Sequence, residues 1–129
     1  MGTQQLLLIV LGVIIVGIAV VVGINIFGTN ADNANKDAVT QDCLRLAASA
    51  QGFYRKPALL GGGGNSFTGA SLEILGMAAD GVNINGTYTV DGSAGTTCEI
   101  VGTSSSVSGA TVTVTVNPGS IDDPVFAGW

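Results

Sequence analysis

Cys43 and Cys98 are the residues best equipped for covalent chemistry in this 129-residue chain, and the chemistry open to them is oxidation to a single disulfide. Without any histidine, two thiols fall short of the ligands a zinc site takes, and no base stands ready to activate either as a nucleophile. In an oxidising compartment a Cys43–Cys98 bridge would close a loop of about 55 residues, for which chain entropy gives roughly 4 kcal/mol. Two reduced, buried thiols are the alternative.

The carboxylates offer little more. Glu73, Asp80, Asp91, Glu99, Asp122 and Asp123 are scattered, with no basic residue beyond Lys56, so no catalytic site and no enzyme is expected. Asp122-Asp123 beside Pro124 has the donors to help bind calcium, but a solvated acidic turn is the preferred reading, and no metal or cofactor is expected. Gly61 to Gly64 lacks the lysine and the strand-to-helix setting of a phosphate-binding loop and reads as a flexible connection. Asn85-Gly86-Thr87 matches the acceptor sequence for N-linked glycan, and Ser104-Ser105-Ser106 offers hydroxyls for O-linked sugar.

Net charge is −5, and the four cations, Lys36, Arg45, Arg55 and Lys56, lie in one stretch. Binding to nucleic acid needs a basic face that neutralises phosphates, and a grip on anionic lipid needs the same, so neither is expected. Arg55-Lys56 could instead meet acidic groups of a neighbouring chain, although an ordinary solvated surface pair is the simpler reading.

The elements that would position these residues begin with an apolar run from Leu6 to Ile24. Leu6, Leu7, Leu8, Ile9, Val10, Leu11, Val13, Ile14, Ile15, Val16, Ile18, Val20, Val21, Val22 and Ile24 form it, and no charged side chain precedes Asp32. About 19 helical residues reach ~28 Å, close to the hydrocarbon thickness of a bilayer. Removing that many apolar side chains from water is worth on the order of 30 kcal/mol before ordering costs, so the segment belongs in lipid or among its own kind. Met1 to Gln5 carries no basic residue of the sort a secretory signal has; the expectation is that a short basic leader has been removed and Met1 is the mature N-terminus. Gly12, Gly17, Gly23 and Gly28 recur at spacings of five and six, which spreads them around a helix and suits close approach by several neighbours; the ordinary tolerance of membrane helices for glycine accounts for them equally well.

From Asn25 the composition turns polar without a proline, and Val39, Cys43, Leu46, Ala47, Ala50 and Tyr54 recur at helical spacing. A helix from about Thr3 to about Phe53 is expected, with Asp32–Lys36 and Asp42–Arg45 as charge pairs along it and Pro57 beyond its end. Leu72 to Met77 is expected to form a short helix. Val82, Ile84, Tyr88 and Val90 alternate with polar residues, Cys98 and Ile100 flank Glu99, and Ala110, Val112, Val114 and Val116 alternate with threonines, giving three antiparallel strands. The fold class is therefore α+β: an apolar helix (1–28), its amphipathic continuation (29–56), and a β-rich head (57–129) packed on that continuation. Cys43 on the helix and Cys98 on a strand both fall on apolar faces, so a bridge between them would staple helix to sheet.

An apolar N-terminal helix that continues as an amphipathic helix under a small antiparallel sheet resembles the type IV pilins and pseudopilins, the likeness residing in residues 1–57. The resemblance implies removal of a leader by a prepilin peptidase and methylation at Met1. It also implies residence in the inner membrane before assembly, and machinery-driven polymerisation into an extracellular homopolymer with the helices bundled in its core. Gln5 stands where many bacterial members have glutamate, and an amide cannot neutralise a neighbour's terminal amine; this departure leans towards the archaeal-like members. The helix-breaking proline of many bacterial members is also missing, which favours a continuous helix. The same resemblance covers pseudopilins of secretion systems, and a membrane-anchored exported binding domain shares the anchor without the assembly.

Overall fold

The computed structural model describes residues 2–129; Met1, the expected processing site, lies outside the described residues. One helix, α1 (Gly2–Arg55), precedes a 3-10 turn (Ala58–Leu60) and four strands: β1 (Gly86–Asp91), β2 (Cys98–Ser104), β3 (Thr111–Val116) and β4 (Val125–Ala127). The strands form one antiparallel sheet in the order β1-β2-β3-β4. The α+β class and the helix-on-sheet head are as the sequence pattern predicts. The chain divides into two compact units, Met1–Asn33 and Ala34–Trp129.

Valine and isoleucine would favour strand in water. A helix nevertheless satisfies every backbone group from within one segment, which an uninterrupted apolar run needs wherever water is excluded. The asparagines and Gly28 between residues 25 and 35 leave the helical assignment unbroken. At the other end, Gly63, Gly64 and Asn65 donate their backbone N–H groups to the carbonyls of Phe53, Lys56 and Tyr54 at 2.8, 3.0 and 2.8 Å. The glycine run read as a flexible connection is thus the cap that satisfies the last turn of α1.

In the head, alternation decides which side chains face the helix. Tyr88, Gly102 and Val112 lie side by side across β1, β2 and β3; Val90, Ile100 and Val114 form the next row, and Cys98 and Val116 the next. Against this face α1 buries Val39, Cys43, Leu46, Ala47, Ala50 and Phe53, and Phe67 and Leu75 complete the core. Gly102, between Tyr88 and Val112, is an inward position without a side chain. A Cβ there would meet Val39 Cγ1 at 2.7 Å and Cys43 Sγ at 2.8 Å, so its absence lets the helix lie close to the sheet.

Three expectations need correction. Val82 and Ile84 do not extend β1 inward but are 54% and 91% exposed. The Asn83 side chain accepts from the backbone N–H of Asn85 (2.8 Å) and Gly86 (3.1 Å), a local turn that competes with the ladder and starts the strand at Gly86. Leu72 to Met77 makes turns rather than a helix. Met77 N–H bonds back to Leu72 C=O at 2.8 Å around Gly76 at φ 93°, a helix-ending motif that closes after one turn. The three-stranded meander gains a fourth strand, β4, paired with β3 from Thr111↔Ala127 to Thr113↔Val125.

Candidate functional site

The first half of α1 carries the surface that needs a partner. From Leu6 to Ile24 every large apolar side chain is between 48% and 69% exposed, the range an isolated helix leaves open when only its own backbone and neighbouring side chains cover them. The segment is long and apolar enough to cross a membrane. A Cβ added at Gly12, Gly17, Gly23 or Gly28 would meet nothing within 4 Å, so these positions are gaps on an uncovered surface. This uncovered surface is the candidate assembly site.

The second half of α1 is held in the head by polar contacts as well as by the core. Asn35 Nδ2 donates to the Asn85 carbonyl at 2.9 Å, and Ser104 Oγ donates to Asn35 Oδ1. Towards the helix C-terminus, Gln51 Nε2 donates to Asn117 O at 3.1 Å and Arg55 Nη2 to Pro118 O at 3.4 Å. Between them Asp42 Oδ2 accepts from Tyr88 Oη (2.6 Å), Asn85 Nδ2 (2.9 Å) and Asn83 Nδ2 (3.0 Å). Burial pushes the Asp42 carboxyl up, but the bonds from Tyr88, Asn85 and Asn83 and the charge of Arg45 outweigh it and hold the pKa below the usual carboxylate value. Burial, followed by the bond to Asp42, raises the Tyr88 phenol above its ordinary value. Asp42 therefore couples α1 to β1 and to the loop before it, a role the i, i+3 spacing to Arg45 did not disclose.

The Asn85 amide that would carry an N-linked sugar is one of these Asp42 donors. Lys36 extends its ammonium over the Phe126 ring, 4.2 Å from the centroid, with Trp129 at 5.9 Å, and Trp129 Nε1 donates to Thr111 O at 2.9 Å. That arrangement binds the C-terminal strand to the helix through a cation–π contact. Asp122 accepts from Asn117 Nδ2 at 2.9 Å, and among the described residues no three of the Cys, Asp and Glu side chains gather as metal ligands would.

The disulfide expectation is overturned: Cys43 and Cys98 are both free thiols, fully buried. They share a core layer but not a height within it. Cys43 Sγ lies against Gly102, and Cys98 precedes Gly102 by four strand residues, roughly 13 Å at ~3.3 Å per residue. A bridge needs the two Cα atoms within about 7 Å. Burial, reinforced by the charge of Asp42, pushes the Cys43 thiol from 9.0 to about 12. Burial, with Asp91, pushes Cys98 to about 11. Both are protonated, unreactive core side chains at neutral pH.

Sequence reasoning placed the apolar helix and, apart from Val82 and Ile84, the core faces. It missed the Asp42 cluster and the Lys36 contact, whose partners lie 41 to 93 residues away in the chain. Comparison with protein-family models, with curated proteins and with solved structures finds no match to this chain.

Proposed function

We propose that this chain is a structural subunit of a filament outside the cell, of the type IV pilin kind, inserted in the inner membrane before assembly and polymerised through residues 6–24. The observation that carries this reading is the exposure of that whole apolar surface in a chain whose second helical half is already committed to a core. A helix of this kind is stable only in lipid or in a bundle of like helices. Glycines spread around it open close approach on more than one side, as a helix surrounded by several copies requires. Contacts between copies that do not close on themselves extend into an open helical fibre. Partners are then other copies of the chain, the machinery that extracts it from the membrane, and a prepilin peptidase acting near Met1. The subunit performs no reaction of its own.

Electron microscopy and mass spectrometry of material sheared from cells that make the protein test this. The expected result is long thin filaments composed of this chain. A short structure confined to the periplasm would instead assign it to a secretion pseudopilus. Recovery only as a single copy in detergent, with no filaments, would leave a membrane-anchored exported domain and overturn the proposal.

A further inference from the structure

Two apolar tips lie at different heights on the head. The first is at the C-terminal end of α1, where Leu59 is 100% and Leu60 66% exposed beside the exposed Arg55 and Lys56. The second is the Val82–Ile84 segment, where Ile84 is 91% exposed and the carboxylate of exposed Asp80, two residues before Val82, accepts the Val82 N–H at 3.2 Å. Their heights follow from the helix they share. Asn83 and Asn85 bond to Asp42, and the Asn85 carbonyl accepts from Asn35, whereas Leu59 lies beyond Arg55, which is 13 residues, or ~20 Å, further along the axis than Asp42. The tips are separated too far to cover one another within one molecule, and they differ in charge.

We propose that the basic tip of one copy docks on the acidic tip of the next, so that Leu59 and Leu60 cover Ile84 while Arg55 and Lys56 face Asp80. Charge complementarity selects a second copy as the occupant. Of the four cations, Lys36 is taken up over Phe126 and Arg45 acts on Asp42; Lys56 is exposed, and Arg55, exposed too, makes only a long 3.4 Å bond to the Pro118 carbonyl that leaves its charge uncompensated and open to a neighbour. All charges from Pro57 onward are negative, and Arg45, the cation nearest the acidic tip, is offset by Asp42, so the head offers a basic tip a net attraction. Two unlike patches make a head-to-tail contact, which propagates where a two-fold contact would close. This deepens the filament reading, and it adds to the helix bundle a contact between heads.

The test is oxidative crosslinking of the full chain carrying Leu60→Cys and Ile84→Cys, in cells that make it, with copper phenanthroline as oxidant. Buried Cys43 and Cys98 provide a quiet background. A ladder of covalent dimers, trimers and longer species is expected from the double variant and none from either single variant. Filaments that form yet give no ladder overturn the tip contact and leave the filament reading intact. A ladder in membranes without filaments upholds the contact and removes the filament. Charge reversal supplies the second arm. Arg55→Glu with Lys56→Glu is expected to lower filament recovery about tenfold, and adding Asp80→Lys to restore it. Restoration distinguishes contact from misfolding, and no restoration overturns the proposal.

Discussion

The two halves of α1 follow one backbone pattern and obey opposite rules. From Leu6 to Ile24 apolar residues occupy the full circumference and every large one is exposed; from Val39 to Phe53 the large ones other than Leu44 occupy one face, and that face is buried. The difference shows that hydrophobicity alone does not say where a helix belongs. An apolar stripe can be satisfied by the sheet of its own chain, whereas an apolar cylinder exceeds what a head of this size can cover and must find its partners outside.

Placing the same substitution in each half breaks the comparison most directly. Leu46→Asp puts an unpaired carboxylate in the core and is expected to cost more than about 4 kcal/mol, enough to unfold the head. Leu11→Asp is expected to leave thermal unfolding of the head in detergent within about 1 °C. It is expected to add about 3 kcal/mol to membrane insertion and, under the filament proposal, to abolish filaments. If Leu11→Asp lowered the melting temperature as Leu46→Asp does, the division of labour would be wrong.

Glycine offers a finer version of the same contrast. Gly102→Ala forces a Cβ to within 3.0 Å of Val39, Cys43 and Tyr88, and overpacking of this kind costs about 1–3 kcal/mol. Gly17→Ala meets nothing within 4 Å and gains helix propensity, so calorimetry on the head is expected to show no loss. Under the filament proposal its effect is instead expected in filament diameter and yield, since there the open space at Gly17 would receive a neighbour.

Smaller effects come from Asp42. Tyr88→Phe removes its shortest hydrogen bond and is expected to cost about 1–2 kcal/mol at neutral pH. Because the folded-state pKa of Asp42 is depressed, the stability it supplies is complete above its unfolded value of about 4 and disappears as pH falls below that. Urea titrations between pH 7 and pH 2.5 are expected to show an acid limb that Asp42→Asn flattens. An unchanged limb would assign acid sensitivity to the exposed carboxylates.

How much of this was legible in the sequence depends on range. The strand Thr111–Val116 was readable because a period of two is a local property, and Val39 to Phe53 because helical spacing is as well. Val82 and Ile84 continue the same alternation and were read inward, yet Asn83 bonds to the backbone two and three residues on and ends the pattern before Gly86. β4 escaped notice because three residues after Pro124 carry no periodicity, and pairing with β3 supplies what they lack. The uncovered apolar surface of residues 6–24 was visible as composition. The tips at Leu59 and Ile84 were not, since exposure is set by the packing of everything around them.

The cysteines show the same limit and yield the smallest expected effect. Facing the same layer was a correct deduction for both, but a period fixes the face and leaves the height open, and four strand residues separate Cys98 from the position Cys43 touches. Reductant is therefore expected to shift the unfolding midpoint by less than about 1 °C, whereas a bridge over such a loop would shift it by many degrees. Iodoacetamide without reductant should label no thiol in the native protein and two in denaturant. The thiols register at high pH instead. Their folded pKa values of about 12 and about 11 lie above the ordinary 9.0, so the stability they contribute is complete below pH 9 and is lost as pH rises through 11 and 12, alongside that of Tyr88. Replacing Cys43 and Cys98 with alanine is expected to shallow that alkaline limb; a limb of unchanged slope would place its origin in Tyr88 and leave the thiols without a share in it.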